Sequence, residues 1–165
     1  MSRRARRYRL GSILILLVVL HFALRPWLGD PRAAPDFLLL ALLVYSLRTR
    51  PGKAAVAGVV VGLVSDALTP VAFGSGMLAY AVVGYLAAWG KAVFFAEHVA
   101  VSGVFFFCGT VVRDLLVLLW GGHVRGSALF WQLGVWTMLK GVTTAIVGVA
   151  VLLAFRNWLK VRLSE

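Results

Sequence analysis

The chain has 165 residues, of which 61% are hydrophobic and 14% charged, with a mean hydropathy of +0.92 and a formal net charge of +11. That composition excludes an ordinary soluble domain and describes one all-α polytopic membrane domain. The excess of 17 Lys and Arg over 6 Asp and Glu would point to nucleic acid in a soluble protein. Here the charges sit in short clusters between apolar runs, so they read as orientation signals and contacts for anionic lipid, with no nucleic acid.

The first nine residues carry Arg3, Arg4, Arg6, Arg7 and Arg9 and lead into an apolar run. A signal peptide would end in a small-residue cleavage site, but Arg25-Pro26-Trp27 stands there instead, so an uncleaved first span over about 10–28 is predicted. The second span, 36–47, follows Pro35 and is the weakest. Its apolar run spans roughly 16 Å against a hydrocarbon core of about 30 Å. Arg48, Arg50 and Lys53, with Pro51-Gly52, close it in a tight basic turn.

The third span, 54–68, repeats Ala54, Gly58, Gly62 and Asp66 on one helix face. Small residues let another helix approach closely in lipid, and a carboxylate within a span needs a partner. The face is therefore expected to pack a helix of the bundle or of a partner. Pro70, Gly74, Ser75 and Gly76 then form a flexible, outward-facing turn, on the side where a periplasmic partner would meet it. The fourth span covers 77–95 and the fifth 99–120, which holds Arg113-Asp114. The sixth covers 133–155 and holds Lys140, and a basic tail occupies 156–165. Thr137, Gly141 and Ala145 form a second small-residue seam, with Lys140, Thr144 and Gly148 beside it.

Six spans put twelve of the seventeen basic residues on one side and three on the other, which places both termini in the cytoplasm. Asp66, Arg113, Asp114 and Lys140 then fall in the outer half of the membrane, two acids with two bases. An unpaired charge at the bilayer centre costs on the order of 3 kcal/mol or more, so pairing is expected. Adjacent side chains point about 100° apart on a helix. Asp66 is therefore expected to meet Arg113 or Lys140, and Asp114 to take the other base. The set reads first as a structural ion network. A proton relay is a second reading, and a small-ligand pocket lined by Trp120, Trp131 and Trp136 a third.

No catalytic, cofactor or metal site is expected. Ser75 between glycines has no base in evident reach, and His21, His98 and His123 lie at span ends or in loops without ligand spacing. The lone Cys108 offers neither a disulfide nor a thiolate cluster. Phe105-Phe106-Phe107 reads as bulk facing lipid or core.

Four motifs together carry a resemblance: Pro35-Asp36-Phe37-Leu38 opening a leucine-rich span, Gly62-Leu63-Val64-Ser65-Asp66-Ala67-Leu68 closing the next, Phe73-Gly74-Ser75-Gly76 entering another, then Tyr80 with Gly84-Tyr85-Leu86. In these, and in the order of short spans, the chain resembles the rod shape-determining protein MreD family. The match is clearest over 35–90, and the Arg113-Asp114 and Lys140 region follows more loosely. The resemblance implies a non-catalytic scaffold of the bacterial inner membrane that binds MreC and helps maintain rod shape by organising peptidoglycan synthesis. It implies work near an actin-like filament, a glycosyltransferase and a transpeptidase. The fold implied is a six-helix bundle similar to the substrate-binding subunits of energy-coupling-factor transporters, which makes small-solute binding in such a transporter the alternative function.

Overall fold

The structure, a computed structural model, describes residues 3–24, 34–68, 73–94, 99–121 and 131–154. They form six helices: α1 (Arg3–Leu24), α2 (Phe37–Ser46), α3 (Pro51–Leu68), α4 (Ser75–Phe94), α5 (Val99–Gly121) and α6 (Gln132–Ala154). The opening of α6, Gln132–Thr137, is π-helical. Three stretches, Pro51–Leu68, Val101–Gly121 and Gln132–Ala154, are long and apolar enough to cross a membrane.

The shortest helix is the centre. α2 touches every one of the other five, and all its residues except Tyr45 are buried. At about 1.5 Å per residue it is roughly 15 Å long, the length of a core helix rather than of a free-standing span. Its outer surface is other helices, so it has no need to match the thickness of lipid. Both ends are closed, as backbone groups removed from water require. Asp36 caps the start by accepting a hydrogen bond from the Leu39 amide at 3.0 Å, while the Ser46 hydroxyl donates to the Leu42 carbonyl at 2.8 Å. The Leu47 and Arg48 amides then reach back to Leu43 and Tyr45.

α3 and α4 pack backbone to backbone along the Ala54, Gly58, Gly62, Asp66 stripe, all of it buried. A Cβ at Gly62 would lie 2.5 Å from the Met77 Cα, and one at Gly58 would lie 2.7 Å from the Ala81 Cα and closer still to the Tyr80 carbonyl. From the other side, a Cβ at Gly84 would lie 2.6 Å from the Ala54 carbonyl oxygen. Lipid tails supply no hydrophobic drive between helices, so this close van der Waals contact is what holds the pair. The seam expected from sequence as an interface is thus an internal one.

The two seams predicted on α6 merge into one. Thr137, Gly141, Thr144 and Gly148 are buried, whereas Ala145 sits half-buried at the edge of the core. Gly141 takes the Phe107 ring, and Gly148 takes Phe106 together with Leu40. Gly109 of α5 faces Leu43. The paired residues show that α3 runs antiparallel to α4, and α5 antiparallel to α6. On α1, Ile13, Leu17 and His21 form the buried stripe, and Ile13 and Leu17 join the core that α2 centres.

Replacing Gly62 with Leu forces α3 and α4 apart. We expect a cost of about 1–3 kcal/mol or more, read as a lower unfolding temperature in detergent. Gly11→Ala, where a Cβ meets nothing within 4 Å, is expected to leave that temperature unchanged or slightly raised.

Candidate functional site

The N-cap that starts α2 is also the hub of a buried polar network. Asp36 is 5% exposed, and its Oδ2 accepts a hydrogen bond from the Tyr80 hydroxyl of α4 at 2.8 Å. The same oxygen lies 3.5 Å from an Arg113 nitrogen on α5 and 3.9 Å from the Lys140 ammonium on α6. The Asp36 amide donates to the Thr144 hydroxyl of α6 at 3.2 Å. Four helices therefore meet at one residue. Pro35 starts no hydrogen bond of its own, since it lacks an N–H, and leaves the Asp36 side chain to organise the turn.

Asp114, one residue along from Arg113, anchors the second half. Its carboxylate accepts from Lys140 at 3.2 Å and from the Thr137 hydroxyl at 3.4 Å, and it pairs directly with the Arg113 guanidinium. The π-helical opening of α6 ends at Thr137, and the next helical turn supplies Lys140, so both face the same acid. Arg113 also donates to the Tyr80 hydroxyl at 3.1 Å, and its guanidinium carbon lies 4.9 Å from the centre of the Tyr80 ring. The charges are Asp36 and Asp114 against Arg113 and Lys140, a neutral set. The divergence of neighbouring Cβ bonds, which argued against a shared partner, is overcome by the length of the arginine side chain.

Asp66 lies elsewhere, which corrects the pairing expected for it. Its carboxylate accepts the amides of Gly74 at 2.9 Å, Gly76 at 3.1 Å and Met77 at 3.1 Å, and among the described residues it has no basic partner. Three backbone donors at the positive end of α4 take the place of a cation. Gly74, at φ 97°, turns the chain so that these amides converge, and Gly76 has no room for a side chain because Asp66 fills the space. Ser75 and Gly76 are buried. What the sequence suggested as a flexible turn is, from Gly74 onward, a fixed helix start with the aromatic ring of Phe73 exposed beside it. Pro70 lies outside the described residues.

Asp36 is the member of the network that the sequence does not announce. Two signals pointed to it: an acid at a helix N-cap, and a helix too short to be anything but buried. Below the network the bundle is apolar, with Leu39, Leu40, Leu42, Leu43 and Phe106 almost fully buried. Thr110 and Thr143 spend their hydroxyls on the Phe106 and Lys140 carbonyls of their own helices. Trp120 and Trp131 are exposed and Trp136 is half-buried. Among the described residues, no three His, Cys, Asp or Glu side chains gather as metal ligands. His98, His123 and the basic tail lie outside them.

An all-helical membrane protein whose buried acids are met by bases and amides of its own helices is the class this architecture defines. The chain matches the family described as rod shape-determining protein MreD over residues 5–160, and it belongs to that family. No curated protein and no solved structure matches it.

Asp36→Asn leaves two buried bases facing one acid. We expect a loss of about 3–5 kcal/mol in detergent unfolding, the range for breaking a buried pair. Adding Lys140→Met restores neutrality and is expected to recover part of that loss, whereas simple additivity would show that the two residues are uncoupled. Asp66→Ala is expected to cost about 1–2 kcal/mol and to speed hydrogen exchange at the Gly74, Gly76 and Met77 amides.

Proposed function

We propose that this chain is a multi-pass scaffold of the bacterial inner membrane that binds MreC and helps maintain rod shape by organising peptidoglycan synthesis. Membership of the MreD family carries the reading. The family is a non-catalytic, shape-determining one, and the self-neutralised network fits it: Asp36, Arg113, Asp114 and Lys140 lock packing rather than wait for a substrate. Six helices, alternating in direction where paired residues define it, support six crossings. The twelve-to-three bias of basic residues supports cytoplasmic termini. The glycosyltransferase, the transpeptidase and the actin-like filament are the further partners of such a scaffold. The solute-binding alternative, in the manner of an energy-coupling-factor subunit, draws no support from Trp120 and Trp131, which are exposed, or from buried acids and bases that pair with one another.

The contact with MreC belongs outside the glycine seams. Ala54, Gly58 and Gly62 are spent on α4, and Thr137 and Gly141 on α5. The approach to α4 is the better periplasmic candidate, because Asp66 holds the Gly74, Gly76 and Met77 amides and Phe73 stands 63% exposed beside them. A preorganised exposed aromatic is the kind of residue that carries binding energy at an interface. The full-length chain, co-expressed with MreC, is expected to co-purify with it. Phe73→Ala is expected to reduce recovery about tenfold at an unchanged unfolding temperature. Undiminished recovery would move the contact off this turn, and failure of the wild-type chain to retain MreC would overturn the reading.

A further inference from the structure

At the end of the bundle opposite the charged network, Tyr45, Arg50, Gly52, Lys53, Val56 and Ala57 line a groove of about 640 Å³ between the close of α2 and the start of α3. We propose that this groove is a binding site for one anionic phospholipid, with the headgroup phosphate held between Arg50 and Lys53. The proposal rests on the membrane reading above and adds a defined lipid site to it.

Charge gives the sign of the headgroup. Arg50 and Lys53 are exposed, among the described residues neither makes an ion pair, and the first turn of α3 holds no acid. Asp66 stands at the far end of α3, roughly 20 Å away along the helix. With two cations and no anion among the described residues that line it, the groove favours a net negative headgroup over a zwitterion.

The backbone adds donors. Pro51 opens α3 without an N–H, and the Ala54 amide bonds to the Arg50 carbonyl at 3.0 Å, leaving the Gly52 and Lys53 amides without helical partners. At Gly52 a Cβ would meet nothing within 4 Å, so a phosphate oxygen has open access to those amides.

The walls select a lipid over free phosphate. Tyr45, Val56 and Ala57 make the lining largely apolar, and Val56 is 65% exposed. From Val56 an exposed apolar face continues along α3 through Val59, Val60 and Leu63. An acyl chain descending from the phosphate covers that face, and an inorganic anion would leave it bare.

The test uses the full chain purified in detergent, titrated with phosphatidylglycerol or phosphatidylcholine and read by lipid retention in native mass spectrometry. Phosphatidylglycerol is expected to be retained in preference, as a single tight adduct. The double variant Arg50→Gln/Lys53→Gln is expected to lose about tenfold or more in apparent affinity, as two surface charges near a phosphate warrant. Arg6→Gln/Arg7→Gln removes the same charge elsewhere and is expected to leave retention unchanged. An equal loss in that control, no preference over phosphatidylcholine, or displacement of the adduct by millimolar inorganic phosphate would each overturn the site. Val56→Ser, which keeps both cations, is expected to weaken phosphatidylglycerol retention, and no change would overturn the apolar half of the site. Resistance of the wild-type chain to carbonate extraction from membranes tests the membrane reading separately.

Discussion

The Asp36 carboxylate carries a charge into the middle of a helical bundle, and the placement of four helices follows from how that charge is satisfied. Burying an ion without partners costs several kcal/mol even after relaxation, so the site holds only if donors are already aimed at it. α2 supplies the Leu39 amide, α4 the Tyr80 hydroxyl, α5 the Arg113 guanidinium and α6 the Lys140 ammonium, while the Thr144 hydroxyl of α6 accepts from the Asp36 amide. Two bases against one acid would leave an excess, and Asp114 removes it. The neutral set has directional bonds where the rest of the bundle has only surfaces in contact. A glycine seam tolerates some sliding along its axis. A shift of α5 by one turn, about 5.4 Å, would break the ties of Arg113 to Tyr80 and Asp36 at once.

The same constraint explains how so short a helix sits at the centre. A central helix with lipid on any side would need enough length to bury its ends. α2 has helices on all sides, its first turn is held by the network and its last by Ser46 and the turn behind it. The bundle thus divides along its axis. A polar layer fixes register near the start of α2, α4 and α6, and an apolar plug of leucines and Phe106 fills the space beneath it.

The sequence carried the helical class, the close-packing stripe of α3 and the need for neutral pairing, because each rests on local spacing or on the cost of a bare charge. Ala54, Gly58 and Gly62 recur every fourth residue, and that alone defines a face. It could not say whether the helix opposite was α4 or a partner's, since the identity of a neighbour is tertiary information. Asp66 was misassigned for a related reason. A carboxylate in a span was matched only to cations, although three amides converging at a helix start serve an anion as well. That convergence depends on Gly74 at positive φ, and nothing in the residue type of Asp66 announces it. Asp36 was legible as a cap but not as a hub, because its partners lie 44, 77, 104 and 108 positions away in Tyr80, Arg113, Lys140 and Thr144.

Acids and bases are used differently at the two ends of the bundle, and this difference separates architecture from interaction. Each acid among the described residues, Asp36, Asp66 or Asp114, is engaged at the end where α2, α4 and α6 begin. At the other end, Arg50 and Lys53 meet no acid among the described residues. Bases left over at the network end would have been buried charges without partners. Among the described residues the acids therefore serve packing at one end, while Arg50 and Lys53 at the other keep their charge for molecules outside the bundle.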